Sequence, residues 1–171
     1  AYGSGPFNSL VSISGNDNHY TSFGNPGTAD ANYNTILQAA LYSNGEPMAF
    51  TWGGMTSGDT YLLEFWVNDG RNIGEARSET LTGGANTSAA LSFGSDGSGP
   101  GQYIIGEFVA DSTGTETVTL NPFSSGTNPS AQINLLQLRD LTPVPEPSTL
   151  ALLAASTGAM FFGFRRKNRE I

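Results

Sequence analysis

Alternation of apolar and polar residues marks one segment of the chain most clearly. Over residues 60–68 one face carries only large apolar side chains, namely Tyr61, Leu63, Phe65 and Val67. A period of two residues is typical of a half-buried β-strand. Turn-forming residues precede the segment at Ser57-Gly58-Asp59 and follow it at Asp69-Gly70. We therefore predict a strand here, with its apolar face in a core.

Seven more short apolar segments follow the same kind of pattern. They are residues 7–13, 48–52, 77–81, 89–93, 102–110, 115–120 and 131–138. Glycine-rich turns separate them, and only 13% of all residues are charged. About eight short strands joined by such turns indicate an all-β fold, an antiparallel β-sandwich resembling a jelly roll.

One segment predicts a helix instead of a strand. Within residues 33–42, apolar residues recur at helical spacing at Ile36, Leu37, Ala40 and Leu41. Asn34 is expected to cap the start of this helix, and Gly45 is expected to end it. We predict a short helix packed on one end of the sandwich.

The last part of the chain has a different character. Three prolines within residues 143–149 exclude a helix or a central strand and predict an exposed linker. Residues 150–164 carry no charge. As a helix they would span about 22 Å, somewhat less than the ~30 Å hydrocarbon core of a bilayer. The apolar run ends at three basic residues, Arg165, Arg166 and Lys167.

These patterns predict four parts. They are a β-sandwich body over residues 1–142, a proline-rich linker over 143–149, a transmembrane helix over 150–164 and a basic cytoplasmic tail over 165–171. A buried C-terminal helix is the alternative for the apolar run, but it would need neither the prolines nor the basic stop.

Charge separates the body from the tail. Residues 1–143 hold thirteen acidic residues and three arginines, a net charge of −10, whereas residues 144–171 have a net charge of +2. Nucleic acid is excluded as a partner of so acidic a body, because phosphate contacts need clustered basic residues. The positive-inside rule places the basic tail in the cytoplasm and the body outside.

The order of linker, apolar run and basic stop resembles the PEP-CTERM signal of bacterial exosortase substrates. The residues that match are Pro145, Glu146 and Pro147, the apolar residues 150–164, and the basic residues 165–169. The resemblance implies export and recognition of the Pro-Glu-Pro motif by an exosortase-type membrane processing enzyme. It also implies loss of the tail, and therefore a transient membrane anchor, in a protein of the cell envelope, surface or extracellular polysaccharide matrix.

The body has a resemblance of its own. Residues 55–61, 67–71 and 133–139 resemble stretches of a secreted jelly-roll module of the galactose-binding-like type. This resemblance implies a fold and carbohydrate binding, with polysaccharide as the expected partner, and it names no particular ligand.

Trp66 is the centre of the candidate ligand-binding site. It lies on the second face of the predicted strand, near four polar residues: Glu64, Asn68, Asp69 and Arg71. A flat aromatic side chain beside carboxylate, amide and guanidinium groups is typical of sugar sites. For Trp66 alone, however, we favour a place in the core, because both faces of a strand can be covered. Trp52 is likewise expected in the core.

No catalytic residue is predicted, so the expected function is non-enzymatic. A serine triad would have to use His19, the single histidine, whose surroundings predict a solvated loop. The alternative is a small secreted glycan-hydrolysing enzyme that uses paired carboxylates. Its candidates are Glu64, Asp69, Glu75, Glu79 and Glu107.

No cofactor and no transition-metal site is expected. The chain has no cysteine, which excludes disulfides and Cys-based metal sites. Oxygen ligands suited to Ca²⁺ occur in two predicted loops, at residues 16–18 and at Asn68-Asp69. Neither loop matches an EF-hand, so a structural Ca²⁺ and ordinary turn chemistry are both open interpretations.

Overall fold

The structure is a computed structural model, and it describes residues 11–15, 18–71, 74, 77–93, 101–123 and 129–143. Within these residues the chain forms twelve β-strands and one α-helix. The strands are β1 (Val11–Ser14), β2 (Asn18–Tyr20), β3 (Ala40–Tyr42), β4 (Met48–Trp52), β5 (Thr60–Val67), β6 (Arg77–Gly83), β7 (Asn86–Thr87), β8 (Leu91–Phe93), β9 (Gln102–Val109), β10 (Glu116–Pro122), β11 (Gln132–Ile133) and β12 (Leu135–Asp140), and the helix is α1 (Ala31–Leu37).

The strands form three antiparallel sheets. The largest has six strands in the order β1-β4-β10-β6-β7, with β8 also paired to β6. A second sheet has the order β11-β3-β2, and a third has the order β12-β5-β9. We call the third one the β5 sheet. The predicted class, an antiparallel β-sandwich with one short helix, is confirmed.

The main core lies between the six-stranded sheet and the inner face of the β5 sheet. The ring of Phe65 contacts Phe50 and Trp52 of β4 edge to face, with centroids 5.4 and 6.3 Å away. The predicted inner face of β5 is confirmed, because its four residues are at most 8% exposed. Trp52 is 2% exposed, so its predicted place in the core is confirmed as well.

The helix is shorter than predicted and begins earlier. Asp30 caps α1, and its carboxylate accepts the backbone N–H groups of the second and third helical residues at 2.8 and 3.1 Å. The side-chain oxygen of Asn34, the predicted cap, instead accepts a hydrogen bond from the backbone N–H of Thr28. The prediction that the helix continues beyond Leu37 is wrong, because Ala40–Tyr42 forms β3, which pairs with both β2 and β11.

Two other segments differ from their predictions. His19 lies in the short strand β2 rather than in a loop, although its side chain is exposed as expected. The predicted strand over residues 131–138 is divided at Asn134 into β11 and β12. Here the Asn134 side chain donates to the carbonyl of Leu37 at 2.8 Å and accepts from the backbone N–H of Asn68 at 2.7 Å. These bonds join the interruption to the end of α1 and to the end of β5.

The chain divides into two units, Ala1–Leu141 and Thr142–Ile171. The predicted sorting motif, membrane helix and basic tail lie beyond residue 143, outside the described residues, as does the first part of the strand predicted over 7–13. Among the residues that the structure describes, no helix is long and apolar enough to cross a membrane.

Candidate ligand-binding face

Trp66 lies on the outer face of the β5 sheet, on the side away from the core. Strand register places Tyr103 of β9 on one side of it and Leu135 of β12 on the other. The rings of Trp66 and Tyr103 have centroids 6.3 Å apart and planes inclined by 33°. Tyr103 is 61% exposed, whereas Trp66 and Leu135 are half-buried. We call these three residues the aromatic row.

The favoured assignment of Trp66 to the core is therefore wrong. Side chains alternate along a strand, so the residues between those of the inner face point to the opposite side of the sheet. In the described part of the chain no second layer of strands covers that side. Trp66 is half-buried beside the exposed ring of Tyr103, so this aromatic pair lies at the protein exterior.

Glu64 comes next along the outer face of β5. Its cross-strand neighbours there are Ile105 and Gln137. Its Oε1 accepts a hydrogen bond from a terminal guanidinium nitrogen of Arg139 at 2.5 Å. The Glu64 side chain is only 10% exposed, and that of Arg139 is 49% exposed. The carboxylate is therefore paired with a guanidinium group beside the aromatic row.

Asp69 and Arg71 form an ion pair beyond the end of β5. The buried Asp69 carboxylate accepts from Nε of Arg71 at 2.8 Å and from its terminal nitrogen at 2.6 Å. Arg77 approaches the same carboxylate to 3.5 Å. The hydrogen bonds from Arg71 to Asp69 raise the pKa of Arg71. The guanidinium also packs over the ring of Phe23, 4.4 Å from its centroid. These contacts fasten the loop after β5 to the segment around Phe23.

Asn68 is buried at the same end of the strand. It was expected on the face of Trp66, but it follows the last residue of β5 and is 3% exposed. Its backbone carbonyl accepts from Nε2 of Gln132 at 2.5 Å. Among the five predicted site residues, the outer face of the β5 sheet thus holds Trp66 and Glu64.

Glu79, another candidate carboxylate, belongs to the interior. It lies on β6 and is 1% exposed, with its Oε2 accepting the backbone N–H of Gln132 at 2.7 Å. Burial raises the pKa of Glu79 to about 8. The carboxyl group is therefore mainly protonated at neutral pH and enclosed. Glu107 is exposed on β9, and Glu75 lies outside the described residues.

The described residues contain no group of three or more His, Cys, Asp or Glu side chains that could hold a metal ion. Both carboxylate oxygens of Asp69, the anionic residue of one predicted Ca²⁺ loop, accept hydrogen bonds from Arg71. Asn16 and Asp17, from the other predicted loop, lie outside the described residues.

Three residues of this face, Tyr103, Leu135 and Arg139, are not among the predicted site residues, and Tyr103 is the most exposed of them. Its segment alternates clearly enough to predict a strand, but alternation does not say which strand pairs with which. The contact with Trp66 depends on the register between β5 and β9, which are far apart in sequence.

The C-terminal segment adds a separate observation. A family described as the PEP-CTERM protein-sorting motif matches residues 143–167. The chain carries a PEP-CTERM sorting motif. This motif indicates an exported protein sorted to the cell envelope, and it confirms the resemblance seen in the order of Pro-Glu-Pro, apolar run and basic stop.

Solved structures resemble the body in fold. The ANXUR2 extracellular domain from Arabidopsis thaliana has a TM-score of 0.60 at 11% identity, over 78% of this chain and 41% of that one. The ANXUR1 extracellular domain from the same plant has a TM-score of 0.56 at 13% identity, over 77% of this chain and 40% of that one. This chain thus spans about two fifths of the length of those ectodomains. At such identity the similarity shows the fold alone.

A family 35 carbohydrate binding module from Clostridium thermocellum has a TM-score of 0.42 at 15% identity, over 75% of this chain and 90% of that one. That similarity is too low to support a conclusion about this chain. No curated protein matches the sequence significantly.

Proposed function

We propose that this is an exported cell-surface or extracellular-matrix protein whose body binds carbohydrate and catalyses no reaction. The PEP-CTERM motif supports the export. The observation that carries the binding function is the pairing of half-buried Trp66 with exposed Tyr103 on the outer face.

The binding chemistry follows from the aromatic row. The C–H groups on one side of a sugar ring form an apolar surface that fits the flat face of an aromatic ring, and burying both surfaces is favourable. Gln137 and the Glu64–Arg139 pair lie beside the row on the same sheet face. They supply donors and acceptors for sugar hydroxyl groups.

The carboxylates support binding rather than hydrolysis. A glycoside hydrolase needs two carboxyl groups about 5–10 Å apart on either side of the scissile bond. Of the candidates, Glu64 is paired with Arg139, Asp69 is buried against Arg71, and Glu79 is enclosed. None of these three is presented to a sugar on the outer face as a free acid or nucleophile. Glu107, the candidate that is exposed on that face, lies four residues along β9 from Tyr103, about 13 Å away.

A glycan-array screen of the full chain, purified in detergent, tests the binding function. We expect retention on at least one group of carbohydrates and no release of reducing sugar from the bound ones. Absence of binding to every carbohydrate would contradict the proposal. Turnover that a single carboxylate substitution abolishes would favour the hydrolase instead.

The proposed route to the surface uses the C-terminal segment. Residues 150–164 would hold the chain in the membrane, and the Arg165–Lys167 cluster would stop it there, because each Arg or Lys placed centrally in a span costs about 2.5–3.5 kcal/mol. The Pro145-Glu146-Pro147 motif would then lie near the outer interface, extended and open to an exosortase-type enzyme.

Processing is tested by mass spectrometry of the native protein from cells with and without an exosortase. We expect the mature protein to lack the residues from about Pro147 onward only when the enzyme is present. An intact C-terminus at Ile171 in both kinds of cell would leave a simple tail anchor.

A further inference from the structure

We infer that the aromatic row binds internal segments of an uncharged polysaccharide chain and discriminates against acidic polysaccharides. The inference rests on the proposed carbohydrate-binding function, and it adds the class of ligand. Two independent observations carry it: the pairing of every basic side chain in the body, and the direction in which the row crosses the sheet.

The body offers no free basic side chain to an acidic sugar. Residues 1–143 contain three arginines and no lysine. Arg71 and Arg77 both approach the carboxylate of Asp69, and Arg139 pairs with Glu64. A uronate, sulfate or phosphate group on the ligand would therefore compete with an internal carboxylate for each of these cations.

The net charge acts in the same direction. Thirteen acidic residues leave residues 1–143 with a net charge of −10, so an acidic polymer is repelled as it approaches. Glu107, exposed on the outer face of β9, is four residues along the strand from Tyr103, a distance of about 13 Å. Such repulsion is screened beyond about 8 Å at physiological ionic strength. Discrimination should thus be strongest at low salt.

Amino sugars carry a positive charge, but the acidic surface of the body attracts them only weakly at the aromatic row. The three residues of the aromatic row carry no charge, and the nearby carboxylate of Glu64 is already neutralised by Arg139. Glu107 is too far from Tyr103 to contact a sugar that lies on the row. The groups that contact the ligand are therefore apolar or neutral, and they fit an uncharged sugar.

The row also runs across the whole sheet. Leu135, Trp66 and Tyr103 lie on three adjacent strands, so the row extends over about 10 Å from one outer strand to the other. Both outer strands, β12 and β9, are edges of this sheet in the described part of the chain. No described strand closes either end, and we take the ligand chain to lie across the face and to continue past both edges. Such a site binds the interior of a polymer rather than its end.

The test measures affinities of the full chain in detergent for soluble glucan, mannan, galactan and xylan, and for the carboxymethyl derivative of each. For the best polymer we expect a Kd about tenfold lower than for its derivative at about 0.05 M salt. The difference should narrow at about 0.5 M salt. The matching monosaccharide should bind at least about tenfold more weakly than the polymer.

A charge substitution provides the matched control. Glu107→Lys places a free cation on the binding face and should strengthen binding of the carboxymethyl derivative. Glu46→Lys makes the same charge change at an exposed position outside the β5 sheet and should strengthen it less.

The outcomes separate this inference from the function on which it rests. Equal or tighter binding of the carboxymethyl derivative, or equal binding of the monosaccharide, would overturn the ligand class and leave carbohydrate binding intact. Equal effects of the two lysine substitutions would overturn the role of the outer face in charge selection. Absence of binding to all eight polymers and their monosaccharides would contradict the proposed function and the inference together.

Discussion

The two faces of β5 carry different residues in different surroundings. On the inner face, Phe65 is 1% exposed and contacts the aromatic rings of β4. On the outer face, Trp66 is half-buried beside Tyr103, which is 61% exposed. Both faces carry aromatic rings, but only the inner ones are enclosed by a second sheet.

This difference separates stability from binding. Enclosed rings stabilise the fold, because their removal leaves a cavity and loses contacts on all sides. An exposed ring adds little to stability, so its presence calls for another explanation, and large exposed apolar surfaces often mark interaction sites. Substitutions on the inner face should therefore lower the stability of the fold, whereas substitutions on the outer face should weaken binding.

The largest effect on stability is expected on the inner face. Phe65→Ala should lower the free energy of unfolding by about 3–5 kcal/mol, since it creates a cavity in the enclosed core. Denaturant unfolding measures the loss. Ile105→Ala, on the outer face and 51% exposed, is the control and should change stability by at most about 0.5 kcal/mol. Equal losses of unfolding free energy in the two variants would show that the two faces contribute alike to stability.

The buried carboxyl of Glu79 should make stability depend on pH. Its raised pKa of about 8 means that the folded protein keeps a proton which the unfolded chain loses near its ordinary value of 4.5. Stability contributed by the protonated group is therefore lost as pH rises from about 4.5 to about 8. Across this window the wild type should lose a few kcal/mol relative to Glu79→Gln, which stays neutral.

Unfolding curves of the two proteins at several pH values measure this difference. Gln at position 79 keeps an oxygen that can accept the backbone N–H of Gln132, as Glu79 does now. Parallel pH profiles for wild type and variant would show that Glu79 titrates normally and would contradict its enclosure.

A smaller effect is expected for the ion pair on the outer face. Arg139→Gln should cost about 0–1 kcal/mol, because the arginine side chain is 49% exposed and water screens the pair. Asp69→Asn should cost more, since the Asp69 carboxylate is buried between Arg71 and Arg77. Thermal unfolding of both variants checks the order. A larger loss in Arg139→Gln would assign the outer face a structural role.

The inner face of β5 could be predicted because its pattern is local. A period of two residues identifies Phe65 and its neighbours as buried whatever strand lies opposite. The predicted helix is present, but its continuation beyond Leu37 is wrong because a local pattern was not decisive there. Ala40 and Leu41 fit a helical period locally, but the pairing of β3 with β2 and β11 outweighs that preference.

The outer face could be predicted only in part. Trp66 and Glu64 are adjacent on one strand, so alternation alone puts them on the same side. Tyr103 and Arg139 reach them through strand register, which depends on contacts between distant segments. Asn68 continues the alternation in sequence, but the strand ends before it and the residue turns into the interior.

The most direct test of the account compares two substitutions on the outer face of β9. Tyr103 and Val109 lie on the same strand and face, and both are 61% exposed, but only Tyr103 belongs to the aromatic row. Affinity for the carbohydrate retained on the glycan array is measured for Tyr103→Ala and Val109→Ala, with unfolding curves for both. We expect Tyr103→Ala to weaken binding at least about tenfold, Val109→Ala to leave it unchanged, and both to keep wild-type stability within about 0.5 kcal/mol. Equal affinities for the two variants would contradict binding at the row.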